Sequence, residues 1–381
     1  MTIPHHHAFP TSPEDRLLCR ILRGDPAPWP TAEDEGFPQR FLQTCRTHDA
    51  SPLVHHLLRL APSWNEWPIS MREPLAHAAR MHTAEDMLRE QELIAVLAAL
   101  AEAGVATILL KGTPLAYSHY PEPALRTRCD TDVLVAPASR DAAMSALEVF
   151  GYRRPNAVSG TLVSYEACYS RRTGNIDHVV DLHWQINNGQ VFAQALTWDE
   201  ALARSVPFPR LGASARTLCP VHALLLACMH RAAHLGVDGP EGSRLLWLYD
   251  IHLLANAMTA DEWRDFARLC VTRAMCGVSL DAFKCAQETF ATVFPPDVMT
   301  QLARPAADEL SAAYLHGGRS RLFLTELRAL DTWSARATLL RESLFPPSDY
   351  LLAKYETRQR WLLPWWYVRR LAEGVRKAAR P

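Results

Sequence analysis

The chain has 381 residues, 48% apolar and 21% charged, with 40 Lys and Arg against 41 Asp and Glu for a net charge of −1. That composition excludes whole-chain disorder. The even charge balance disfavours a non-specific nucleic-acid binder, which needs a basic surplus, and no sequence-specific nucleic-acid partner is expected.

Nine cysteines are scattered without a CxxC, and a chain of this length needs no disulfide staples. Reduced thiols in a cytoplasmic protein are the expectation. The opening MTIPHHHAFP has no cationic start before an apolar run. The apolar stretches 93–101 and 223–229 fall short of the roughly 20 residues a membrane span needs.

Residues 1–30 carry six prolines, which predicts a loose N-terminal segment. His5, His6 and His7 lie in it and are given no role. A helical N-terminal region follows over 31–104. It has short helices at 37–60 and a longer one at 71–103, where Leu93, Val96, Leu97 and Leu100 recur at helical spacing. Gly104 stands where such a helix stops. The pattern then changes to short strands at 105–110, 130–135, 162–170 and 177–186. A short helix at 114–120 and an amphipathic one at 138–150 are interleaved with them, and Thr173-Gly174-Asn175 marks a turn. This α/β core is placed at 105–215. A helical C-terminal domain over 216–381 completes an α+β chain, with candidate helices at 220–236, 243–257, 260–275 and 278–292.

The informative residues are acids on strands. Asp130 and Asp132 are two apart, so a strand points both to one side. Carboxylates that close repel unless water or a cation answers them. Oxygen donors in this pattern suit Mg²⁺ or Mn²⁺. Asp181 sits inside another apolar run, and His183 faces the same side two residues on. Three such acids can hold divalent ions for an in-line displacement at phosphorus. The plain alternative is three solvated acids; the order strand, Lys-Gly turn, helix, DxD strand and third acid favours the metal site. Lys111 and Gly112 join the first strand to the short helix, where glycine lets backbone N–H groups approach a phosphate and lysine adds charge. A helix-start glycine beside a surface lysine is the alternative. Arg126 can clamp a triphosphate or pair with Asp130 or Glu122.

The strings Leu109-Leu110-Lys111-Gly112-Thr113-Pro114-Leu115-Ala116, Tyr120-Pro121-Glu122-Pro123 with Arg126, Asp130-Thr131-Asp132-Val133-Leu134-Val135 and Val180-Asp181-Leu182-His183-Trp184 together resemble the uncharacterised nucleotidyltransferase-like family of the polymerase-β-type superfamily. The likeness continues through Cys219-Pro220, His230, His234, Arg244 and Trp247-Leu248-Tyr249-Asp250, and spans roughly residues 90–260. It implies a small mixed-sheet nucleotidyltransferase core. Asp130 and Asp132 match the first carboxylate pair and Asp181 the third. Gly112 stands at the phosphate-binding turn, where Thr113 replaces the usual serine.

His230 and His234 are four apart on a helix, a spacing that can bind zinc but lacks the glutamate of a metalloprotease motif. With Arg244 they are expected to line the cleft opposite the carboxylates, forming its second wall. Over 354–381, eight basic residues face two acids, a net +6, with Trp361, Trp365, Trp366 and Tyr367 interleaved. Such a segment can contact a membrane or an acidic partner; the alternative packs the tryptophans on the domain. The combined reading is a metal-dependent nucleotidyltransferase that moves a nucleotidyl group from an NTP to an unidentified small-molecule, peptide or protein acceptor. Glycosyl or phosphoryl transfer at the same site, and a nucleotide-binding regulatory protein without chemistry, are the competing readings.

Overall fold

The computed structural model describes residues 10–31, 34–155, 157–238, 243–306, 308–316 and 318–378. His5, His6 and His7 lie outside them. The chain is α+β, 63% helical around a six-stranded mixed sheet.

The N-terminal helices are α1 (Pro13–Arg23), α2 (Phe37–Thr47), α3 (Ser51–Arg59) and α4 (Ile69–Glu102). Within the segment expected to be loose, residues 13–23 instead form α1. Pro13 starts α1, where its missing N–H costs nothing. Ser12 and Asp15 close a capping box, and Gly24 ends the helix in the left-handed region at φ 76°. Leu17, Leu18, Cys19, Ile21 and Leu22 are buried.

The strands are β1 (Thr107–Leu109), β2 (Thr131–Val135), β3 (Glu166–Thr173), β4 (Ile176–His183), β5 (Val206–Pro207) and β6 (Arg216–Thr217), in the order β3-β4-β2-β1-β6-β5. β2 and β4 are parallel, as are β1 and β6; the other neighbours are antiparallel. Four strands follow the sequence pattern. The pairs β5 and β6 do not, because two residues are too few to show alternation. β6 also puts residues 216–217 in the sheet, so the sheet crosses the expected boundary at 215/216.

The two faces of the sheet are covered differently. Leu109, Val133, Val135, Val180 and Leu182 pack with Leu93, Val96, Leu97 and Leu100 of α4 and with Ala143 and Leu147 of α6 (Arg140–Val149). Ile108, Leu110 and Leu134 face the other way. They join one continuous core with the N-terminal helices and with α9 (Pro220–Asp238), α10 (Leu245–Ala257), α11 (Ala260–Thr272) and α12 (Cys276–Phe290). Before these come α5 (Gly112–Ser118) after β1, then α7 (Gln190–Ala193) and α8 (Trp198–Ala203) after β4. Each large apolar side chain so buried contributes roughly 1.5–3 kcal/mol. The helical parts at the two ends of the chain therefore flank the sheet and share one core.

The chain continues through α13 (Pro296–Leu302), α14 (Arg319–Arg328), α15 (Trp333–Leu344), α16 (Ser348–Lys354) and α17 (Leu363–Ala378). Glu342 of α15 accepts hydrogen bonds from the backbone N–H groups of Thr161, Leu162 and Val163 at 2.8–3.0 Å and from the Thr161 hydroxyl, which ties the late helices to the core. In the basic tail, Trp366 stacks on Tyr355 and the Tyr367 hydroxyl donates to the Pro346 carbonyl. Trp361 and Trp365 stay 76% and 59% exposed, so packing accounts for only part of the aromatic pattern. Among the described residues, no helix is long and apolar enough to cross a membrane.

Candidate active site

A polar cleft of about 720 Å³ lies where three parts of the chain meet. The core supplies Lys111, Gly112, Thr113, Asp130 and Asp132. The C-terminal helices supply His230, His234 and Trp247, with Arg244 just before α10. The N-terminal helices add a third wall, with Asp49 from the α2–α3 turn and His82, Glu85 and Arg89 from α4.

Strand register builds the floor. Asp132 on β2 and Asp181 on β4 are paired directly, so their side chains share a face. His183 lies two residues along β4 on that same face. Its Nε2 is 2.9 Å from Asp132 Oδ1, and its Nδ1 is 3.4 Å from Glu166 Oε2. Lys111 Nζ is 2.5 Å from the same Asp132 oxygen. The Leu110 N–H donates to the Asp132 carbonyl at 3.0 Å, and the chain then swings into α5 through Lys111 at φ 54°. A side-chain-bearing residue in the left-handed region is strained. The turn aims the ammonium at the floor of the cleft.

These contacts set the charges. Burial pushes the Asp132 carboxyl up, but the Lys111 charge and the His183 hydrogen bond outweigh it and hold it below the usual range. Burial likewise opposes the Lys111 ammonium, and Asp132 wins, so its pKa is raised. Asp130 is different. Burial, then the charges of Asp132 and Asp181, push it up to about 6. Asp181 is also raised, by burial and then by Asp132. Its Oδ1 is buried without a hydrogen-bond partner.

Asp130, Asp132 and Asp181 therefore offer hard oxygen donors with one buried oxygen free and repulsion that a cation would relieve. By donor chemistry they fit Mg²⁺ or Mn²⁺. Among the described residues no three Asp, Glu, His or Cys side chains are already gathered as a metal site. Lys111 occupies one Asp132 oxygen, and Asp181 does not line the cleft.

Gly112 begins α5. A Cβ there would lie 3.1 Å from the Arg126 Nη2, so the glycine lets the guanidinium rest against the helix start. Thr113 is 2% exposed, and its hydroxyl has no hydrogen-bond partner. His230 and His234 stand edge to face, their rings 4.7 Å apart, and both contact Trp247. Burial, then the charges of Lys111 and His234, hold His230 well below the usual imidazole range, so it is neutral. Arg244 lies over Trp247 and pairs with Asp49.

Arg126 corrects an expectation. It pairs with neither Asp130 nor Glu122, and its fork is not left for a phosphate. Nε and Nη2 reach Asp250 at 2.7–3.0 Å, with both residues buried, and Tyr120 donates to the same carboxylate. Arg128, which no reading of the sequence singles out, is a tie with a buried side chain. It pairs with Asp86 at 2.5 Å and covers the Tyr117 ring. The third wall was the larger omission. His82, Glu85 and Arg89 recur at helical spacing on α4, a polar stripe that the sequence shows, but only the fold turns it toward the cleft.

No curated protein matches the chain. The sequence model of one family, described as uncharacterised nucleotidyltransferase, matches residues 34–291, which include every cleft residue named above. The chain belongs to that uncharacterised nucleotidyltransferase family, a membership that supports a nucleotidyl-transfer role.

Proposed function

We propose that the protein transfers a nucleotidyl group from an NTP to an acceptor hydroxyl or phosphate at the floor of this cleft. The observation that carries the reading is the Asp132–Asp181 register pair with Asp130 leading into it, three acids whose burial and mutual repulsion raise two of their pKa values. Asp130, Asp132 and Asp181 would hold Mg²⁺ or Mn²⁺, which when bound supplies charge neutralisation at the phosphates. Lys111 meets a phosphate oxygen as a point charge, and the unpartnered Thr113 hydroxyl donates to another. The acceptor oxygen bonds to the α-phosphorus while the bond to the pyrophosphate oxygen breaks. Asp130, which lines the cleft, takes the acceptor's proton, and its pKa of about 6 suits that task. His183 keeps Asp132 oriented through its 2.9 Å hydrogen bond.

One observation favours a second reading. Lys111 and His183 already answer the Asp132 charge, as they would in a protein that binds nucleotide without chemistry. Incubation with α-labelled NTPs and Mg²⁺ or Mn²⁺, alongside γ-labelled NTPs and sugar nucleotides, separates these readings. Nucleotidyl transfer puts the α-label alone on protein, peptide or small molecule, and Asp132→Asn abolishes it. Label from the γ-position or from the sugar identifies phosphoryl or glycosyl transfer. Binding without transfer supports the regulatory reading.

A further inference from the structure

A second cavity, of about 170 Å³, lies against the polar cleft. The two share Lys111, Arg126, His230 and Trp247 as a common wall. Its other sides are mostly apolar, with Leu115 of α5, Phe208 after β5, and Ala223, Ala227 and Leu254 of α9 and α10, while Ser118, His119, Thr217 and Asp250 add polar groups. The α9 sequence shows how the space arises. Leu224, Leu225, Leu226, Cys228 and Met229 are 0–1% exposed. Ala223 and Ala227, one turn apart on the same helix, are half-buried because they face the cavity. A leucine at either position would extend into it. The cavity is too small for a helix or strand of another chain. It matches a small hydrocarbon, since a dry apolar cavity of about 150 Å³ binds benzene.

We propose that this cavity is an apolar subsite which takes an aromatic or branched aliphatic group of about seven heavy atoms. Resting on the transferase reading above, that group belongs to the acceptor. Its polar end would pass the Lys111–His230 wall to reach Asp130 and Asp132, while the phosphates stay on the polar side. Apolar burial would then select the acceptor and fix its reactive oxygen at the cleft floor. Neutral His230 suits a wall between an apolar and a polar chamber, because an imidazolium there would have to be desolvated.

The test uses the full chain, with toluene as probe for the cavity and a fluorescent ATP analogue with Mg²⁺ as probe for the cleft. Toluene binding is read by ligand-observed NMR and nucleotide binding by fluorescence titration. Wild-type protein should bind toluene. Ala223→Leu and Ala227→Leu should each weaken that binding at least tenfold and leave nucleotide affinity within twofold. Val206→Trp, at the 39% exposed mouth, should do the same without touching α9 packing. Absence of toluene binding to wild type, or equal binding by all three variants, overturns the subsite. Displacement of toluene by ATP overturns its assignment to the acceptor, since the cavity would then hold the nucleobase. Toluene binding without nucleotide binding contradicts the transferase reading and with it the acceptor assignment, leaving a hydrocarbon site.

Discussion

Removing the Asp250 carboxylate tests how the cleft is held together. Asp250 is 5% exposed and accepts from Arg126 Nε and Nη2 and from the Tyr120 hydroxyl, all within 3.0 Å. In Asp250→Ala the Arg126 guanidinium, 7% exposed, keeps its charge in a buried site and loses the carboxylate it pairs with. Stripping one partner from a buried pair costs about 3–5 kcal/mol, whereas replacing both by apolar groups of similar volume is often close to neutral. Asp250→Ala should therefore lose about 4 kcal/mol in urea unfolding at pH 7. The double variant Arg126→Met/Asp250→Leu should recover most of that. Arg126 also rests on Gly112 at the start of α5, so the single variant should loosen nucleotide binding as well. A loss below about 1 kcal/mol in Asp250→Ala would refute the reasoning. So would a double variant as unstable as the single, because either result means that the burial of Arg126 does not depend on its partner.

Asp130→Asn removes a carboxylate whose charge is opposed by burial and then by Asp132 and Asp181. The folded pKa of Asp130 is raised from 3.8 to about 6, so its contribution to stability is fully present below pH 3.8 and is lost as pH rises through about 6. That shift corresponds to about 3 kcal/mol, and partial exposure to the cleft screens it to about 2 kcal/mol. Asn does not ionise, so urea melts should show the variant more stable than wild type at pH 7.5 and equal to it near pH 4; equal stability at both would contradict the raised pKa of Asp130. Lys111→Ala should weaken binding of a fluorescent ATP analogue at least tenfold, and unchanged affinity would take Lys111 out of the site. Glu342→Ala should cost about 1–3 kcal/mol at pH 7, because three backbone N–H groups lose their acceptor. The hydrogen bonds overcome burial and lower the Glu342 pKa below its usual 4.5. Wild type should therefore lose this advantage over the variant as pH falls below 4.5, in urea melts across that range.

What the sequence showed and what it hid divide by the distance over which the signal acts. Leu93, Val96, Leu97 and Leu100 mark their helix face by local periodicity, and all four are buried under the sheet. Alternation puts Val133 and Val135 on one face of β2 and Asp132 on the other, as the pleat requires. The register that sets Asp132 beside Asp181 joins positions 49 apart, and only the third acid in an apolar run hinted at it. The partner of Arg126 lies 124 residues on, beyond any spacing rule. Helix α1 was hidden by a proline count that ignored position, for Pro13 at a helix start beside Ser12 and Asp15 is a helix signal rather than a breaker. Asp49, His82, Glu85 and Arg89 carried no motif of their own, and the fold alone brings them to the cleft.

The central claim is that the three acids serve transfer of a nucleotidyl group. The most direct measurement is incorporation of label from α-labelled ATP, GTP, CTP and UTP in the presence of Mg²⁺ or Mn²⁺, with an extract of the source cell as the supply of acceptor and Asp132→Asn as control. The account predicts a labelled product that forms with wild type, needs the divalent ion and is absent with the variant. Label that forms equally with Asp132→Asn, or nucleotide that binds wild type at the cleft and is never transferred, would contradict it.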